Sequence, residues 1–183
     1  MLLRLTHRFE APVCAVIDAL AGSAYAAHLA DAHSFFAEID VLSRVDYGNV
    51  VVRSVRYRAR PFIARLGVFS LPAEWFVWVE QSTFDRGAGI LHFENVPELS
   101  SVQTKVVNRG TMTFRGEQRA DGSWLTTREA HFEIDLHVAP LYRPLAELAL
   151  SMIRRKLESS LDEEACLLAA WLERCAGVES VAA

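Results

Sequence analysis

The sequence predicts an α+β fold in which a curved antiparallel sheet is closed by one long C-terminal helix. Three observations carry this reading. Residues 123–138 alternate side for side over an unusual length, with Trp124, Thr126, Arg128, Ala130, Phe132, Ile134 and Leu136 on one face and His131, Glu133, Asp135 and His137 among those on the other, the period of a half-buried strand. From Leu145 to Leu172 apolar residues recur at three- and four-residue steps with no proline after Pro144, which is one helix with a continuous apolar stripe. Between the first strand and the next, Pro12, Gly22 and Ser23 punctuate two short helical stretches.

Each element follows in order. Residues 2–10 alternate, with Leu3, Leu5, His7 and Phe9 on one side. Pro12 suits a first helical turn, where its missing N–H costs nothing. Val13, Val16, Ile17 and Leu20 form one helical face, Gly22 ends that helix, and Ser23 opens a second bearing Tyr25 and Leu29. Strands over 35–46 and 49–60 flank a Tyr47-Gly48-Asn49 turn, the second placing Arg53 and Tyr57 on one face with Val51, Val55 and Ala59. The stretch 61–72, PFIARLGVFSLP, is an apolar connector without a period. The segment AEWFVWVEQ reads as a strand apolar on both faces, followed by a turn at Asp85-Arg86-Gly87 and a strand around residues 90–94. A polar loop near 97–101 leads to a strand over 110–119, and Asp121-Gly122 is a hairpin turn. The closing helix is expected to run to about Arg174 and to stop at Gly177. Thirty residues of helix span ~45 Å, a stripe that calls for a long sheet face as its partner. A single domain is therefore expected over residues 1–177, with 178–183 a disordered tail.

Composition excludes several classes. The chain has 183 residues, 51% of them hydrophobic and 23% charged, which is a globular balance and not a disordered one. A net charge of -4 is opposite in sign to a dedicated nucleic-acid binder, so no nucleic-acid partner is expected. Cys14, Cys166 and Cys175 are widely spaced, without a CxxC pair; they read as reduced and mostly packing thiols of a cytoplasmic protein. No apolar run approaches the ~18 residues of a membrane span, and the first ten residues do not form a secretory signal.

The order of elements resembles the START-like, or helix-grip, superfamily, also called SRPBCC or polyketide cyclase-like. Within it the sequence is similar to a bacterial subgroup of unknown function. The resemblance covers nearly the whole chain and is carried by FEAPVCAVIDALAGSAYAAHLA, RGTMTFRGEQRADGSWLTTREAHFEIDLHV and APLYRPLAELALSMIRRKLESSLDEEACLLAAWL. It implies a curved sheet wrapped around the C-terminal helix, two short helices after the first strand, and a deep apolar cavity of the kind used for lipids, polyketides, sterols or hormones. It implies no one chemistry, because one fold hosts many functions.

Candidate residues follow from strand parity. Arg53, Tyr57, Trp75, His92, Met112, Trp124 and Arg128 are expected to face inward and hold a ligand, the aromatics its apolar body and an arginine an anionic head. Their alternative role is structural, with each arginine paired to an acid or stacked on an aromatic ring. Phe62, Gly67 and Phe69 in the connector would gate the cavity, with Gly67 as hinge; a fixed plug or a dimerisation surface is the alternative. The row His131, Glu133, Asp135 and His137 reads as a solvated outer face, since neighbours ~6.8 Å apart along a strand do not chelate by themselves. Six arginines and one acid over residues 44–65 read as a solvated sheet face, with phosphate or an anionic membrane surface as the other reading. There is no GxSxG, GxGxxG, Walker or HExxH motif, and no cofactor or metal is expected. The expected role is a non-catalytic carrier or sensor of a small apolar or amphipathic ligand, with monomer and homodimer both left open. An enzyme of the polyketide cyclase or aromatase type would draw on His7, His92, Tyr57 and Arg128. A third reading is an interaction module with a collapsed cavity.

Overall fold

The computed structural model describes residues 1–63, 65–66 and 69–181. Ala64, Gly67, Val68 and the last two residues lie outside the described set, as do the side chains of Leu66, Phe69, Ser70 and residues 178–181. Strand β1 (Leu2–Phe9) is followed by α1 (Val13–Ala21), α2 (Ser23–Ala32), β2 (Phe36–Asp46) and β3 (Val50–Ala59). A two-residue hairpin, β4 (Arg65–Leu66) and β5 (Phe69–Ser70), and a 3-10 turn (Ala73–Phe76) lead to β6 (Val77–Asp85) and β7 (Ile90–Pro97). Short α3 (Ser100–Gln103), β8 (Val106–Gln118), β9 (Trp124–Leu136), a second 3-10 turn (Pro140–Tyr142) and α4 (Arg143–Val181) complete the chain. The seven long strands form one sheet in the order β1-β9-β8-β7-β6-β3-β2, and β4-β5 form a separate ribbon. Every pairing is antiparallel. This is the α+β helix-grip architecture that the sequence predicts.

The inward parity of β3 and β9 holds as read. On β9, Thr126, Arg128, Ala130, Phe132 and Ile134 are buried; on β3, Val51, Arg53, Val55 and Ala59 are. The main core joins β1, α1 and α2 to the far half of α4, where Leu168 is fully buried beside Val16 and Ile17. A second cluster of Phe35, Ala59, Ile63 and Phe76 lies under the connector. Neighbouring groups close tightly on Gly110, where an added Cβ would stand 2.1 Å from the His131 carbonyl oxygen and 2.6 Å from the Phe93 ring.

Four local expectations change. Residues 73–76 form a 3-10 turn, not the start of a strand: Pro72 is extended and its carbonyl accepts the Trp75 N–H at 3.1 Å, so pairing begins only at Val77. The loop near 97–101 contains α3, which buries Val102. Helix α4 passes Gly177 and continues to Val181, because Gly177 does not take the positive φ of a helix stop. All three cysteines are exposed and none is a packing thiol; Cys166 directly follows buried Ala165 and so turns off the stripe.

Candidate functional site

Between the concave face of the sheet and α4 lies a cavity of about 610 Å³. The half of α4 nearest Arg143 walls it with Leu145, Ala149, Ile153 and Leu157, and the connector contributes Phe62, Ile63 and Leu71. Phe35, Phe36, Trp75, Phe76 and Trp78 border it from the β2 side. Tyr57 and Trp78, cross-strand partners, stack at 5.6 Å between ring centroids and 18° between planes. Such stacked rings are a rigid apolar wall.

Of the residues predicted to bind a ligand, Arg53, Tyr57, Trp75 and Met112 line the cavity. Trp75 stands at its edge with 44% of its surface exposed. His92, Trp124 and Arg128 do not line it. His92 is on the convex face, in the transverse row Thr83–His92–Thr111–His131 beside a shallow outer groove. A strand period of two puts His92 opposite to buried Leu91 and Phe93. Trp124 has the inward parity, but it opens β9 at the hairpin end, over Gly116 and beyond the reach of α4, and is exposed. Of the gate residues, Phe62 lines the cavity, Gly67 lies outside the described residues, and Phe69 is placed in β5 by its backbone alone.

Both inward arginines are neutralised within the protein. Arg53 donates from Nη2 to Glu80 at 3.1 Å and from Nη1 to the Leu20 carbonyl, with its guanidinium 5.4 Å above the Phe84 ring. Arg128 is fully buried; its Nη1 donates to both Glu164 oxygens at 3.1 and 2.7 Å, and it lies 5.3 Å from the Phe9 ring centroid. Its Nη2 donates to His7 Nδ1 at 3.1 Å. The accepting Nδ1 leaves the His7 proton on Nε2, which faces Asp162 at 3.0 Å. Thus the expected anion-holding arginine is corrected: an internal carboxylate already occupies each guanidinium, as the cost of an unpaired buried charge requires. Burial pushes the Tyr57 phenol well above its ordinary pKa, and the neighbouring Glu80 carboxylate adds to the rise. Tyr57 is therefore an uncharged phenol at physiological pH.

Sequence reading misses Glu80, Asn95, Asn108, Lys105, Lys156 and Glu164, all of which line the cavity. Strand parity could have found the two asparagines, because each sits on an inward position between apolar inward neighbours. Glu164 sits on the apolar stripe, three residues after Leu161 and four before Leu168, and an acid there announces a buried partner. Among the described residues no group of three His, Cys, Asp or Glu side chains could hold a metal. No single described helix is long and apolar enough to cross a membrane. The outer arginines are also paired: Arg56 bonds Glu98 and Arg58 bonds Glu38.

The architecture as a whole superposes on solved structures. The chain has the helix-grip fold. TTHA0849 from Thermus thermophilus superposes with a TM-score of 0.64 at 16% identity, covering 93% of this chain and 98% of that one. The Zhui aromatase/cyclase from a Streptomyces species gives 0.59 at 12% identity, over 95% and 94%. Norcoclaurine synthase from Thalictrum flavum, in complex with dopamine and hydroxybenzaldehyde, gives 0.55 at 10% identity, over 92% and 86%. At these identities the helix-grip likeness concerns architecture. No family model matches the sequence, and no curated protein does either.

Proposed function

We propose that this protein binds a small apolar or amphipathic molecule between the sheet and α4. The observation that carries the proposal is the cavity itself: about 610 Å³ falls within the ~300–1,000 Å³ typical of small-molecule sites. Its wall is aromatic and aliphatic, with a few polar groups from the sheet and from α4, and the same volume weighs against a collapsed interaction module. Phe62, Ile63 and Leu71 of the connector line it, which supports the connector as its cover. The carrier reading is preferred to catalysis because the expected acid–base set is dispersed: Tyr57 lines the cavity, His92 is on the convex face, and His7 and Arg128 are tied to Asp162 and Glu164.

A cyclase-type enzyme is the second reading, favoured by one cluster in the cavity wall: Arg53, Glu80 and Tyr57 are neighbours there, and one of the architectural neighbours is titled an aromatase/cyclase. The discriminating experiment has two arms. Uptake of N-phenyl-1-naphthylamine is compared between the wild type and Leu157→Trp, a substitution that fills the cavity; native mass spectrometry then identifies what co-purifies. Uptake lost in Leu157→Trp with the co-purifying molecule unchanged on incubation supports a carrier. Conversion of that molecule, abolished in Tyr57→Phe, supports the enzyme. Equal uptake by both proteins overturns the cavity as the site.

A further inference from the structure

The concave face carries a transverse polar row that the ion pairs do not explain. Glu80 on β6 is the register partner of Asn95 on β7. The β7–β8 ladder ends at the paired Glu94 and Arg109, and its register, continued by one step, sets Asn108 on β8 opposite Asn95. The rows on either side are largely apolar: Phe93, Gly110 and Phe132 deeper in, and Trp78, Pro97 and Val106 towards α3. Both asparagines line the cavity, and the Oδ1 atom of each is buried without a hydrogen-bond partner. Two unpaired amide oxygens in one apolar wall are costly, since buried polar groups are normally paired. Glu80 differs, because Arg53 satisfies it.

Resting on the cavity as a binding site, we infer that the Asn95–Asn108 pair recognises an uncharged hydroxyl group on the ligand. A side-chain amide offers a carbonyl acceptor and an NH2 donor, and a half-turn exchanges the two. A hydroxyl both donates and accepts, so one hydroxyl bridging the pair gives to one amide and takes from the other. A carboxylate at this place would lack a donating hydrogen for the unpaired oxygens. The surrounding rings favour a flat aromatic body. The ligand class is thus a neutral alcohol or phenol with an apolar, planar frame.

Three probes of one shape separate the possibilities: 2-naphthol, 2-methylnaphthalene and 2-naphthoate, each titrated against the wild type, Asn95→Leu and Asn108→Leu by tryptophan fluorescence. The wild type is expected to prefer 2-naphthol to 2-methylnaphthalene by about tenfold, the weight of a well-made neutral hydrogen bond, and to bind 2-naphthoate more weakly than either. Each leucine variant is expected to lose that preference while keeping its affinity for 2-methylnaphthalene. Near-UV circular dichroism checks the fold, and Asn95→Thr and Asn108→Thr give the same comparison if a leucine variant does not fold. Binding of 2-methylnaphthalene with no preference for 2-naphthol, or a preference that survives both substitutions, overturns the amide assignment and leaves the cavity as a binding site. Binding of none of the three by the folded wild type overturns the cavity reading, and this inference with it.

Discussion

Arg128 on the last strand and Glu164 on the closing helix meet at 2.7 Å inside the core. The arginine side chain is fully buried and the glutamate is 12% exposed. Their bond fixes the rotation of α4 over the sheet, because a helix turned by one residue would carry Glu164 away from the guanidinium. Tyr25 adds a second tie by donating its hydroxyl to the Glu164 carbonyl oxygen at 3.2 Å.

Removing one partner alone leaves a buried charge uncompensated. Glu164→Leu should therefore cost ~3–5 kcal/mol of folding free energy, and the double variant Arg128→Met/Glu164→Leu should recover most of that loss. Urea denaturation of the three proteins checks it. An additive double variant would mean that the two side chains do not depend on each other.

Leu168 and Leu157 lie on one stripe and should respond differently. Leu168 is fully buried, so Leu168→Ala should cost ~2–5 kcal/mol. Leu157 is half-buried at the cavity wall, so its truncation mainly enlarges an existing space and should cost ~1 kcal/mol or less. Denaturant midpoints converted to free energy measure the contrast.

Gly110 sits where the strands close on one another. Its missing side chain leaves room for the His131 carbonyl, which is backbone and cannot swing aside. Gly110→Ala should destabilise by ~1–3 kcal/mol or more, while Gly48→Ala, at an open turn with φ of 81°, should cost less. Thermal midpoints of the two variants give the order.

Asp46 accepts hydrogen bonds from Arg86, the Gly48 N–H and Arg44, with the Arg86 contact the largest of the influences that hold its carboxyl far below the ordinary 3.8. A depressed folded-state pKa adds stability above the unfolded value and loses it as pH falls through the folded one. Asp46→Asn should thus lower stability at neutral pH, and the gap to wild type should narrow as pH drops below about 4. The pair lies at the surface, so added salt should shrink the gap as well. Urea midpoints between neutral pH and pH 3, at low and high salt, check both trends.

The local pattern by itself determined the architecture. Strict alternation in residues 124–136 set which side chains of β9 face inward, and Leu145 to Leu172 set one helix long enough to cover them. Arg53 and Arg128 were legible as inward for the same reason, since parity is a property of a single strand. Tertiary structure decided what those side chains meet. Glu80 and Glu164, distant in sequence, turn two candidate ligand anchors into ion pairs, and such pairings depend on strand register and helix rotation. His92 faces outward because buried Leu91 and Phe93 on either side of it take the inward positions, a parity that its short strand does not declare. Trp124 shows the other limit, since correct parity at the end of a strand does not bring a side chain under the helix. Asn95 and Asn108 became a pair only when β7 and β8 were set side by side, thirteen residues apart in the chain but neighbours across the sheet.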